Sequence, residues 1–197
     1  NDILGKYSYI VFNVHIGMSS TPYRPTDIES LTSDEIIAIS KRSGIIDEID
    51  NIPLYKKLEA MRKKQASLLI ADCIEDEVFS TSAFAQLGEN GDDAGAGLAL
   101  AARAVGIKNY KIAVSSIPGY RSSIKEDYNG TGSIIVDGKY PARYKLFSIY
   151  NRKGVFAIGI GACIELYRAA SNGDCHTTCV VTIDGNCISP ECRPLFR

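Results

Sequence analysis

The sequence predicts an α/β fold, a mixed or mainly parallel sheet with helices on both faces. Three observations carry that expectation. Ser67–Cys73 is a short run too apolar for a sheet edge, and Lys111–Ser116 reads as the next strand. Between them, Gly91–Val105 is rich in glycine and alanine and reads as a slim helix, so residues 67–116 form a right-handed βαβ unit with parallel pairing. A second helix, opened by Gly159 and Gly161, then leads into Thr177–Ile183, a β-branched run that ends at Asp184-Gly185.

In chain order, Tyr7–Val14 is dense in Tyr, Ile, Val and Phe and predicts a strand. His15–Pro25 follows as a loop with two prolines. By residue type His15 is a candidate acid/base or ligand, and a structural role is the alternative. Thr32–Arg42 predicts a short helix: Thr32 and Glu35 fit a capping box, Asp34 and Glu35 suit the positive end of the dipole, and Lys41 and Arg42 suit the other. Gly44 stops it. The acidic loop Asp47-Glu48-Ile49-Asp50-Asn51 leads to Pro53 and a helix over Leu54–Gln65. Lys56, Lys57, Arg62, Lys63 and Lys64 make that helix basic, either as a solvated face or as a site for an acidic partner.

The strand at 67–73 runs into Glu75-Asp76-Glu77. Ligands of α/β sheets bind beyond the carboxyl ends of strands, and three adjacent carboxylates suit a raised pKa or a bound cation; an exposed acidic loop is the alternative. Gly95-Ala96-Gly97 lacks the lysine of a phosphate loop and favours close packing instead. Ile117–Gly132 reads as a turn-rich connection. Ser133–Val136 reads as a short strand, followed by Lys139-Tyr140-Pro141. In the helix after Gly159, Ile160, Cys163, Ile164 and Tyr167 fall on one face, and Asn172-Gly173 closes it.

The chain has 197 residues and a formal net charge of −1. That charge argues against nucleic acid or an anionic membrane as an obligatory partner. No apolar run is long enough to span a bilayer and no signal peptide is visible, so no direct membrane insertion is expected. An oxidised secreted scaffold is usually much shorter and denser in cysteine than this chain with its six, so a reducing cytoplasm is expected. The first residue is Asn, which fits a piece of something longer. Cys175, Cys179, Cys187 and Cys192, with His176 beside them, are spaced unlike the paired knuckles of a zinc site, so the expectation is no bound metal. A disulfide between Cys187 and Cys192 is sterically allowed. There is no Ser-His-Asp or Cys-His set that assigns a general base or nucleophile, and the catalytic residues are unassigned.

From about Ser43 to Pro190 the order of motifs resembles the flavin-binding domain of the C subunit of Rnf electron-transport complexes, which is related to the flavin-binding subunit of respiratory complex I. Ser43-Gly44-Ile45-Ile46, with Pro53 and Leu58, is similar to the family's A-G-I-V opening and the residues after its glycine loop. Leu69–Thr81, including Glu75-Asp76-Glu77, is similar to the strand and E-x-E-P segment beside the flavin, with Val78 in place of the proline. Gly106–Val114, Lys139-Tyr140-Pro141 and Gly154–Thr182 complete the resemblance.

The resemblance implies a domain over residues 43–190, an N-terminal strand, loop and short helix over 1–42, and a tail over 191–197. It implies an electron-transport-associated function, with a protein partner in a redox complex. FMN would lie among Glu75, Asp76, Glu77, Lys139, Tyr140, Gly159 and Gly161, and NADH would act only through a bound flavin. No iron–sulfur cluster is expected, because the chain lacks a C-x2-C-x2-C-x3-C-P run. Where the family has a glycine-rich phosphate loop, this chain has Asp47-Glu48-Ile49-Asp50-Asn51-Ile52. Like charges at ~4 Å repel by about 1 kcal/mol or more. Flavin binding of the ordinary kind is therefore expected to be weakened or lost, and a non-catalytic binding or assembly module is the alternative function.

Overall fold

A computed structural model of the chain describes residues 27–74, 82–115, 124–136 and 154–173. The elements are a 3-10 turn Ile28–Ser30, then α1 Ser33–Arg42, β1 Ile46–Asp47, β2 Ile52–Pro53, α2 Leu54–Lys63, β3 Leu68–Cys73 and α3 Ser82–Val105. They continue with β4 Tyr110–Ser115, β5 Asp127–Tyr128, β6 Thr131–Val136, β7 Val155–Gly159 and α4 Ile160–Ser171.

The main sheet has the order β5-β6-β4-β3-β7. β3 pairs in parallel with β4 and with β7, and β4 pairs in parallel with β6. β5 is antiparallel to β6, so the sheet is mixed and mostly parallel. The fold class is therefore α/β, and the parallel β3-α3-β4 unit stands where the sequence places it. β3 is central because both of its faces are apolar: Leu69, Ala71 and Cys73 face one core, and Ile70 faces another.

α3 and α4 lie on the first face of the sheet and against each other, and α1 and α2 pack on them. Fully buried Ile36, Leu54, Leu58, Leu98 and Leu166 knit these layers together. Each such side chain contributes roughly 1.5–3 kcal/mol by leaving water. Close approach here depends on glycine: a Cβ at Gly97 would strike the backbone carbonyl of Cys163, and one at Gly95 would strike that of Tyr128. The second face buries Ile70, Ile74, Ala113 and Val136 in a cluster with no helical residue in it. A helix covering that face would fall outside the described residues.

Several element boundaries differ from the sequence reading for identifiable reasons. α1 starts with the expected capping box: Thr32 Oγ1 accepts from the Glu35 amide at 3.4 Å, and Glu35 Oε2 accepts from the Thr32 amide at 2.8 Å. α3 begins at Ser82, with a kink at Asn90 just before the predicted start. Phe84 and Leu87 are buried, which explains the extra turns. The connection 117–132 contains part of a hairpin. Asn129 and Gly130 take φ of 52° and 79°, and the hairpin pairs Tyr128 with Thr131. Val155–Gly159, which forms no part of the predicted strand set, is an edge strand of the described sheet that passes into α4 without a loop. Tyr7–Val14 and Thr177–Ile183 lie outside the described residues.

Candidate functional site

The acidic segment after α1 is a hairpin rather than an open loop. β1 and β2 pair antiparallel, with Asp47 opposite Ile52, and Asn51 takes a φ of 57° at the turn. The Asn51 amide donates to the Asp47 carbonyl at 2.9 Å. Asp47 Oδ1 accepts from the Ile49 amide at 3.0 Å, and Asp50 Oδ1 accepts from the Ile52 amide at 3.2 Å. Short acidic side chains thus satisfy the turn's own amides, a role for which Asp is suited.

The hairpin is held by α2. Lys57 Nζ lies 2.5 Å from Asp47 Oδ2 and 2.9 Å from Asp50 Oδ2. The Asp47 side chain is completely buried and that of Lys57 is 11% exposed. Among the basic residues of α2, Lys57 therefore has a structural task, while Lys56, Lys63 and Lys64 are exposed.

The other side of the hairpin meets the start of α4. A helix leaves its first amide donors without internal partners, and its amino end carries partial positive charge. Gly159 occupies the N-cap position and has no side chain with which to cap. The hairpin supplies the acceptors instead. Asp47 Oδ1 accepts from the Gly159 amide at 3.1 Å. Glu48 Oε1 accepts from Gly161 at 2.6 Å, and Glu48 Oε2 accepts from Ala162 at 3.1 Å.

Glycine at 159 and 161 makes this possible. A Cβ at Gly159 would collide with the Glu48 carboxyl. At Gly161 it would lie 2.9 Å from Gln86 Oε1 and 3.0 Å from Glu48 Oε1. Glu48 is exposed as a residue, yet its carboxyl is lodged against the helix backbone. That removal from water raises its pKa, and the neighbouring Asp47 charge adds to the rise, while the amides of Gly161 and Ala162 oppose it. One turn along α4, buried Cys163 has its pKa pushed well up by desolvation and then by the Glu48 and Asp47 charges. Its thiol is held neutral, which is the reverse of a nucleophile's environment.

Of the predicted site residues, Gly159 and Gly161 stand together at the helix start. Glu75, Asp76, Glu77, Lys139 and Tyr140 lie outside the described residues, as do His15, His176, Cys175, Cys179, Cys187 and Cys192. Among the described residues no group of three or more His, Cys, Asp or Glu is placed to hold a metal ion. No described helix is long and apolar enough to cross a membrane. The residues missed as a unit are Asp47, Glu48 and Lys57. A signal for them existed: a helix that opens on glycines, with no Ser, Thr, Asp or Asn at its cap, needs acceptors from elsewhere.

The start of α4 is suited by its donors to an oxyanion, and with Glu48 in place a flavin phosphate does not fit there. The amides that would receive it are engaged, and two carboxylates already stand beside them.

The arrangement of β3, α3, β4, β7 and α4 defines an α/β domain with a mixed, mostly parallel sheet. No protein-family model matches the sequence, and a comparison with curated proteins finds no relative. Among solved structures, the chain is similar to NAD+-reducing [NiFe]-hydrogenase in its H2-reduced state, with a TM-score of 0.57 and 15% identity over 71% of this chain and 31% of that one. The air-oxidised state of NAD+-reducing [NiFe]-hydrogenase gives a TM-score of 0.56 and 12% identity over 71% of this chain and 30% of that one. The chain thus spans about a third of the length of these structures. At such identities the likeness is one of fold.

Proposed function

We propose that the chain is an electron-transport-associated domain of the Rnf C-subunit type that works as a binding or assembly module within a redox complex, without a flavin phosphate at the start of α4. The observation that carries this reading is the Glu48 carboxylate on the amides of Gly161 and Ala162. The fold likeness to a hydrogenase and the motif order over residues 43–190 support the redox association. A cytoplasmic location and a protein partner belong to the same proposal.

A second reading has one observation in its favour. The Cβ-free surface at Gly159 and Gly161 is what a phosphate-binding helix start requires. On that reading FMN lies among Glu75, Asp76, Glu77, Lys139, Tyr140 and the two glycines, and NADH reduces it.

Titration of the purified chain with FMN, followed by flavin fluorescence and the visible spectrum, separates the two. The expected result is no saturable binding up to millimolar FMN. Saturable binding near micromolar, about −8 kcal/mol, would overturn the proposal, and bleaching of the bound flavin by NADH would establish the second reading.

A further inference from the structure

Asp34 at the start of α1 pairs with Arg62 at the end of α2. At the other end of the pair, Lys41 Nζ of α1 lies 5.5 Å from the centre of the Tyr55 ring of α2. The two helices therefore run antiparallel, and a groove of about 550 Å³ opens between them. Asp34, Ile37, Ala38 and Lys41 line it from α1, at the spacing of one helix face. Glu59, Arg62 and Lys63 line it from α2.

The floor and the ends of this groove differ in chemistry. Ile37 is buried beneath it, and exposed Ala38 carries a side chain too short to fill it. One end holds the exposed cations Arg62 and Lys63, of which Arg62 is already matched by Asp34. Lys63 pairs with no carboxylate among the described residues. The other end holds exposed Lys41, positioned by the Tyr55 ring. Asp34 and Lys41 are seven residues apart, so at 1.5 Å per residue the two cationic ends are separated by about 10 Å. Glu59 also lines the groove, and its charge disfavours an added carboxylate beside it.

An apolar floor between separated cations suits an amphipathic helix, which is read through apolar anchors and charges at fixed offsets. A nucleic acid strand suits it poorly. Its phosphates follow one another without a gap, and Asp34 and Glu59 repel those that fall beside them. A protein segment can carry its charges at the ends alone.

We infer that the α1–α2 groove docks an acidic, amphipathic helix of a partner protein, with an apolar side chain on Ile37 and Ala38 and carboxylates two turns apart on Lys41 and Lys63. The inference rests on the reading above, since an assembly module needs a partner, and it adds the surface and the partner's chemistry. None of the lining residues belongs to the β1–β2 hairpin or to the start of α4, so docking and flavin binding can be tested apart.

The test is an NMR titration of the whole chain with a synthetic alanine-based helical peptide that carries Glu, Leu and Glu at i, i+3 and i+7. A second peptide has lysine in place of both glutamates, and a thymidine oligonucleotide is the third probe. The acidic peptide is expected to move the amide signals of Ile37, Ala38 and Lys63. It should bind at least about tenfold more tightly than the lysine peptide, a difference of ~1.4 kcal/mol. Lys63→Glu should weaken it by a similar factor, and added NaCl should weaken it further. Equal responses to the two peptides, stationary signals up to millimolar peptide, or tighter binding of the oligonucleotide would overturn the inference. If Lys63→Glu does not fold, Ala38→Glu decides in its place: weakened binding of the acidic peptide upholds the inference, and unchanged binding overturns it. FMN is titrated into a separate sample. Failure of the acidic peptide without FMN binding overturns this inference alone, whereas saturable FMN binding overturns the preceding proposal whatever the peptides do.

Discussion

Asp47 and Gly159 are 112 positions apart, and the carboxylate of the first accepts the amide proton of the second at 3.1 Å. Because Asp47 also pairs with Lys57, this contact ties the β1–β2 hairpin, α2 and the β7–α4 junction to one buried side chain. Replacing Asp47 by Asn removes the charge and leaves Lys57, itself 11% exposed, with Asp50 as its remaining carboxylate. The expected loss of stability is about 3 kcal/mol, as for other buried pairs broken on one side. Urea unfolding of Asp47→Asn measures it. A loss under half a unit on that scale would mean that the pair contributes little.

Gly159→Ala puts a methyl group where the Glu48 carboxyl lies. We predict a loss of about 1–3 kcal/mol. Most of the loss should vanish when the same change is made in Glu48→Ala, because the obstacle is then gone. A double-mutant cycle on thermal or urea unfolding reads this coupling, and additive effects would show that the two residues do not meet.

At Gly97 the obstacle is backbone, since an added Cβ would strike the Cys163 carbonyl. A main-chain atom cannot rotate aside, so α3 and α4 must separate. The expected cost of Gly97→Ala is about 3 kcal/mol. Gly88→Ala is the control, because nothing lies within 4 Å of its Cβ position. Its helical setting should make it neutral or stabilising by up to ~1 kcal/mol. Similar losses at both positions would argue against close packing at Gly97.

Burial raises the folded-state pKa of Glu48 above the ordinary 4.5. Between those two values the folded chain holds a proton that the unfolded chain has released. This group's contribution is therefore most favourable below about pH 4.5 and is lost as pH rises through the raised value. Glu35 works in the opposite sense. Its side-chain bond with Thr32 lowers its pKa, so its contribution is present above 4.5 and is lost as pH falls through the lowered value. The stability of the natural chain minus that of Glu48→Gln should thus decline from pH 4 towards neutrality. A difference that rises over that range would refute the placement of the Glu48 carboxyl.

How far these features can be read from sequence depends on how local their causes are. The capping box at Thr32 and Glu35 is a four-residue pattern, and it is present as read. The parallel β3-α3-β4 unit follows from two strand-like runs, the first strongly apolar, flanking a glycine- and alanine-rich helix. Val155–Gly159 is harder, since five apolar and small residues followed at once by a helix show no period of their own. The Asn129-Gly130 turn carried a legible signal, but β5 has only two residues and offers no alternation to confirm it. The hairpin carboxylates that meet the start of α4 are legible in the sequence as charge where the resembled family has a glycine loop. Their destination is not, because nothing in a linear spacing of 112 to 114 residues specifies a hydrogen bond.

The strand-to-helix junction at Gly159 also has a consequence for the order of assembly. Lys57 is ten residues from Asp47, so that pair closes a short loop and can form as soon as α2 exists. The Glu48 carboxylate must await the amides of Gly161 and Ala162, made more than a hundred residues later. During synthesis the hairpin therefore emerges first and waits, already shaped by Lys57, for the far end of the sheet to arrive. Pulse-labelled hydrogen exchange during refolding should find the β3 and β4 amides protected early and those of Gly161 and Ala162 late. The first turn of α4 would then act as the clasp that shuts only after the rest of the domain has closed.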